Sequence, residues 1–257
     1  MKQPSPVIQT ASPTALRSTM IMKSHGHSDV GFVRESNEDS FTNRPDLGIF
    51  AVSDGVGGLP FGALASKLAV QYFEAFFTHH PTFNELQDFK NLFLKIHQNV
   101  LQCGSIVGGQ NGIGTTFSGI KIIGDHFLYA HVGDSSILHF QLSEGISEVT
   151  KAHTLAAELI AKHGPESAEN MPEHYAHTLT RCMGQDIDFD TDVGKVATAS
   201  GDKILICSDG ITNMVDLYEI ETMCREFEPE ELVHSLIDLA NQNGGVDNST
   251  VVCVQIT

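Results

Sequence analysis

Positive charge is scarce in this chain. Its 257 residues hold 15 Lys+Arg against 32 Asp+Glu, a formal net charge of −17, and no basic run relieves it. Such a surface repels nucleic acid and anionic membranes, which excludes roles that depend on polyanions. Cysteine is sparse as well. Cys103, Cys182, Cys207, Cys224 and Cys253 are odd in number and widely spaced, with no pair at zinc-site spacing. They are expected to be free, mostly buried thiols in a reducing compartment. No apolar run is long enough to cross a bilayer, and the N-terminus lacks the charged-then-apolar order of a secretory signal. A cytoplasmic protein is therefore expected. The 13 histidines form no cluster with ligand spacing, and no internal repeat stands out. What the chain does have is a 41% hydrophobic content, enough for a sizeable core and too much for a disordered protein.

Residues 1–24 mix Pro, Ser and Thr without periodicity and are expected to form a mobile tail. Residues 25–257 are expected to form one domain. Strand-like runs fall at 28–33, 48–53, 115–123, 126–132, 136–141, 193–198, 203–208 and 249–256. Gly124-Asp125 reads as a hairpin turn. Three helical patterns interrupt the strands. In 62–78, Leu64, Leu68, Tyr72 and Phe76 make one stripe, and Ala65, Ala69, Phe73 and Phe77 make its neighbour. In 84–102, Asn84 is the expected N-cap, with Leu86, Phe89, Phe93, Ile96 and Val100 at helical spacing. In 229–242, Pro229 suits the first position, with Leu232, Leu236 and Leu239 facing the core. Regular βαβ alternation is absent, which argues against a doubly wound parallel sheet, and antiparallel sheets covered by helix pairs fit better. The stretch 153–178 starts helically and turns polar, as a surface flap would.

Aspartate at strand ends is the chemical signal. Ile49–Val52 runs into Ser53-Asp54-Gly55, and Ile204–Cys207 runs into Ser208-Asp209-Gly210. Asp134 follows Val132-Gly133, and Asp247 sits in Gly244-Gly245-Val246-Asp247-Asn248. A carboxylate beside glycine on a tight turn leaves backbone room for a close approach. Several such carboxylates cannot gather in ionised form without cations between them, and oxygen-only donors suit Mg or Mn better than Zn. No Cys-x5-Arg loop is present, so a thiol nucleophile has no support.

Arg34 ahead of the acidic pair Glu38-Asp39 belongs to an ordered series. Asp54-Gly55, Gly114-Thr115-Thr116, Gly133-Asp134-Ser135, Leu179–Gly184, Ser208-Asp209-Gly210 and Asp247-Asn248 follow it. With these motifs in this order, residues 25–257 closely resemble the bacterial metal-dependent Ser/Thr protein phosphatases (PPM, or type 2C). The resemblance implies an α+β fold, a four-layer α-β-β-α sandwich of two antiparallel sheets flanked by helix pairs. It implies hydrolysis of phosphoserine and phosphothreonine on proteins by a metal-activated water at a binuclear Mn or Mg centre. Asp54 would bridge both ions. The Gly55 carbonyl with Glu38 or Asp39 would complete one site, and Asp209 and Asp247 the other. Arg34 would grip phosphate, for which its guanidinium fork is suited. Adjacent Glu38 and Asp39 cannot face the same way on a strand, and Asp134 is weighed between a functional and a supporting role. Thr115 and Thr116 would brace a turn. The implied partners are phosphorylated proteins and a cognate bacterial Ser/Thr kinase, with the enzyme acting as a monomer. The alternative is a pseudophosphatase that binds phosphoproteins, and it is disfavoured by the retained Asp54, Asp209, Asp247 and Arg34.

Two departures from that family pattern matter. Eukaryotic relatives have a histidine just after the first metal Asp-Gly, and Val56 stands there. Many bacterial members have an Asp-His pair whose aspartate helps hold a third ion; in Ala152-His153 that position is alanine. Two ions are therefore expected, with the third lacking a ligand.

Overall fold

A computed structural model of the protein describes residues 22–83, 85–109, 112–185 and 189–257. Ten strands pair antiparallel throughout. One sheet holds β2 (Asp39–Arg44), β3 (Ile49–Asp54), β4 (Phe117–Ile123), β5 (His126–Val132) and β8 (Asp192–Ala197) in that spatial order. The other runs β1 (Met22–Asp29), β10 (Ser249–Ile256), β9 (Lys203–Cys207), β6 (Ser136–Gln141) and β7 (Gly145–Glu148). Because side chains alternate across a strand, β3 and β9 can be apolar on both faces, and every residue of Lys203–Cys207 is buried.

Three apolar clusters define the layers. Phe50, Val52, Ile120, Phe127, Ile204, Ile206 and Val254 fill the space between the two sheets. Helices α1 (Gly62–His79) and α2 (Leu86–Val107) cover the first sheet through a phenylalanine-rich cluster. In it, Phe73 meets Phe77, Phe89, Phe93 and Phe117 at ring separations of 5.1–6.2 Å. Helices α5 (Leu217–Glu226) and α6 (Pro229–Gln242) cover the second sheet. The result is the α-β-β-α sandwich.

Several expectations need adjustment. β1 begins at Met22, so residues 22–24 belong to the sheet and not to a tail; they pair with Val254–Ile256. Residues 1–21 and Asn84 lie outside the described residues, and Glu85 occupies the N-cap position of α2. On α1 the buried stripe is Ala65, Ala69, Phe73 and Phe77, whereas Tyr72 of the neighbouring stripe is exposed. His25 and His27 lie in β1, where both pack near His234 of α6. β2 and β7 were not anticipated: β2 reads Asp-Ser-Phe-Thr-Asn-Arg and buries only Thr42, so it carries no apolar alternation. All five cysteines are free, and four are buried.

The connection between β7 and β8 carries helix α3 (Leu155–His163) and two 3-10 turns, Pro165–Asn170 and Glu173–His177. Its neck is closed by main-chain bonds from Leu155 N to Thr178 O (2.9 Å) and from Thr180 N to His153 O (2.9 Å). Beyond that neck, α3 buries no side chain.

Candidate active site

The site lies where strands of both sheets end on the same side of the sandwich. Asp54 closes β3, and its register partner across the sheet is Asp39 at the start of β2. Asp209 follows β9 and opens the four-residue helix α4 (Asp209–Thr212). Asp247 precedes β10. Arg34, Glu38, Asp54, Gly55, Asp134, Asp209 and Asp247 all line one cavity of about 550 Å³. Of the expected site residues, only Asp39 does not face into it.

Glu38 and Asp39 point in different directions, as adjacent strand residues must. Glu38 turns toward the cavity and lies over Gly62, where an added Cβ would come within 2.7 Å of its carboxylate. Asp39 turns inward across the sandwich, where its Oδ2 accepts hydrogen bonds from Ser208 Oγ (2.8 Å) and Thr250 Oγ1 (2.6 Å) of the other sheet. Gly55 has no space for a side chain, since a Cβ there would sit 2.5 Å from the Gly62 backbone.

Hydroxyls and an amide support the carboxylates. Thr116 Oγ1 accepts from Asp54 N (3.0 Å), and Thr115 Oγ1 donates to Asp54 O (2.7 Å). Thr116 also lines the cavity. Asn248 holds the Asp247 loop against the segment around Arg34 with its side chain. Its Oδ1 accepts from Glu38 N (2.8 Å), and its Nδ2 donates to Val30 O (2.9 Å) and Ser36 O (3.1 Å). It thereby ties the loop bearing Arg34 to the start of β10. Arg34 donates Nη2 to Asp247 Oδ2 at 2.7 Å, so one arm of its fork is already engaged.

Electrostatics single out Asp54. Its carboxyl is raised well above the usual range, first by burial, then by the charges of Asp39, Asp209, Asp134 and Asp247. Burial likewise lifts Asp39 to about 6 and Asp134 to about 7, and it raises Asp209. Asp39 and Asp209 each reach the Asp54 carboxyl, although among the described residues no three His, Cys, Asp or Glu side chains form a ready-made ion cage. Carboxylates with no cation between them repel one another, which is the condition the raised values describe. Asp39 Oδ1 and Asp209 Oδ1 are buried with no hydrogen-bond partner. A buried carboxylate oxygen left unpaired is costly, and an oxygen-only donor set of this kind fits hard divalent cations. The residues present therefore fit a Mg or Mn site.

A protein phosphatase 2C family model matches residues 27–242. The chain belongs to the protein phosphatase 2C family. Protein phosphatase PhpP of Streptococcus pneumoniae is 34% identical over 238 residues, covering 89% of this chain and 95% of PhpP. The serine/threonine phosphatase of S. agalactiae superposes with a TM-score of 0.81 at 28% identity, covering 92% of this chain and 100% of that one. The catalytic domain of the serine/threonine protein phosphatase PstP, solved with two manganese ions, gives a TM-score of 0.80 at 26% identity, covering 93% and 99%.

Two features of this 2C-type phosphatase escaped the sequence reading. His177, at the end of the second 3-10 turn, lines the cavity; no strand-end pattern marks it, because it comes from the β7–β8 excursion. A side cavity of about 270 Å³ adjoins the first and shares Asp134 and Asp209 with it. Ala152 lines this side cavity beside Ser136 and Glu148, with Ser136 Oγ donating to Glu148 Oε1 at 2.8 Å.

Proposed function

We propose that the protein hydrolyses phosphoserine and phosphothreonine on proteins, at a centre of two Mn or Mg ions. The observation that carries this reading is the gathering of Arg34, Glu38, Asp54, Asp209 and Asp247 around one cavity in a chain of the 2C family. Asp54, most strongly raised and central to the acids, would bridge the two ions. Of the pair Glu38 and Asp39, Glu38 faces the cavity and would serve one ion with the Gly55 carbonyl, while Asp39 stands behind it on Ser208 and Thr250; Asp209 and Asp247 would serve the other. Bound there, the ions would offset the carboxylate repulsion and make hydroxide available near neutral pH. Arg34 orients the phosphoryl group with its fork, and exchanging its bond to Asp247 for phosphate oxygens keeps a charge-assisted pair. Thr115, Thr116 and Asn248 hold the strand ends in place. At position 152 alanine supplies no carboxylate, where the family pattern has one for a third ion.

The partners are phosphorylated proteins, the products of a bacterial Ser/Thr kinase in the cytoplasm, and the enzyme works as a monomer. Relatives named as phosphatases support turnover over a phosphoprotein-binding role. Release of inorganic phosphate from a phosphothreonine peptide should require Mn and fall to background in Asp54→Ala. Metal binding without any phosphate release from the wild-type protein would overturn the reading.

A further inference from the structure

Breaking the phosphorus–oxygen bond of a phosphoserine or phosphothreonine leaves a strongly basic alkoxide. A proton donor placed on the leaving side is worth about 10²–10⁴ in rate for such chemistry. Few groups lining the cavity can supply one. Glu38, Asp54, Asp209 and Asp247 are committed to cations in the proposed function, on which this inference rests. The Arg34 guanidinium holds its protons too tightly. Thr116 Oγ is occupied by Asp54 N and Ser135 Oγ. Val56 and Leu59 present only carbon on their side of the wall.

His177 remains. Among the described residues it is the one imidazole lining the cavity, and imidazole is the side chain most often used as a general acid near neutral pH. Its main chain is held in place: Leu155 N bonds the carbonyl of the next residue, Thr178, and Thr154 bridges to Leu179. Its ring is exposed and has no hydrogen bond among the described residues. It lies close enough for its charge to favour the Asp209 carboxylate. The ring is thus free to meet a substrate, and the neck beside it is closed by main-chain bonds.

We infer that His177 is a catalytic residue, the general acid that protonates the departing serine or threonine oxygen. Hydroxide attacks phosphorus, the bond to the side-chain oxygen breaks, and its electron pair goes to that oxygen. The oxygen takes the proton from the His177 imidazolium. Bulk water returns a proton to the ring, so the balance is phosphoester plus water giving alcohol plus phosphate.

Leaving groups of different basicity give the test. With Mn present, His177→Asn should lower kcat on a phosphothreonine peptide about 100-fold and change p-nitrophenyl phosphate by less than about threefold, because nitrophenolate departs without a proton. Across a series of aryl phosphates, log kcat/KM should fall more steeply with leaving-group pKa in the variant than in the wild type. His174→Asn alters an exposed imidazole of the same turn that does not line the cavity, and it should leave both activities unchanged. Equal losses on both substrates, no loss on either, or the same pattern in His174→Asn would overturn the assignment. A wild type inert toward both substrates would instead overturn the hydrolase reading, and this inference with it.

Discussion

Single residues in this fold carry consequences well outside the cavity, and His131 illustrates how. It sits fully buried in β5, where Nε2 donates to Lys151 O (3.1 Å) and Nδ1 accepts from Ser118 Oγ (2.8 Å). Burial, followed by the nearby charge of His153, pushes its pKa down to about 3. An unfolded histidine takes up its proton near pH 6.5. Between pH 6.5 and 3 the unfolded chain therefore binds a proton that folded His131 refuses, and falling pH favours unfolding by about 1.4 kcal/mol per pH unit. His131→Gln should lose less stability than the wild type between pH 7 and pH 4, as read by thermal melts of both at each pH. Parallel losses would show that His131 is not the group responsible. The sequence around His131 does not single it out, because burial depth and a carbonyl partner 20 positions away leave no local mark. Asp54 and Asp209 were legible for the opposite reason: each closes an apolar run beside glycine, a purely local signature. Asp39 was legible as an acid but not in direction. Its contacts with Ser208 and Thr250 arise only when the two sheets close on each other.

Among the elements, those with strong periodic faces could be read closely. Pro229–Gln242 was expected over 229–242, and β5, β6 and β10 matched their apolar runs residue for residue. The weakly apolar elements escaped. Helix α5 buries only Ile220 and Cys224, so its hydrophobic signal is thin. Its readable mark was a capping box, in which Asp216 accepts from Glu219 N and Glu219 accepts from Asp216 N. Helix α3, expected as the helical start of 153–178, fully buries no side chain and rests on the neighbouring 3-10 turns and a closed neck. Elements with few buried contacts open at low free-energy cost. Amide hydrogens of 155–163 should therefore exchange well before those of β9 and β10, in a native-state exchange experiment followed by fragment mass. Protection in α3 equal to that of β9 would mean the excursion opens only with the whole domain. Fast opening also bears on catalysis, because the same excursion presents His177 to the cavity.

At the scale of the molecule, the dominant electrostatic fact is concentration of like charge. The chain carries a net charge of −17, and its two sheets bring Asp39, Asp54, Asp134 and Asp209 close enough to other carboxylates for the neighbouring charges to help raise the pKa of those four. That arrangement stabilises nothing by itself; it stores repulsion that a bound cation relieves, the usual opposition between site and stability. Neutralising the central acid should therefore separate the two effects. In metal-free protein, Asp54→Asn should melt at a higher temperature than the wild type, because it removes a buried charge flanked by others. Saturating Mn, at about 100 times its Kd, stabilises a native state by about 2.7 kcal/mol, equivalent to roughly 5–10 °C in Tm for a domain of this size. The wild type should gain that increment and Asp54→Asn most of it not, so the order of the two melting temperatures should reverse when Mn is added. Equal Mn shifts in both proteins would remove Asp54 from the cation site. A lower metal-free Tm for Asp54→Asn would show that its hydrogen bonds outweigh the repulsion, and the bridging role would then have to rest on activity alone.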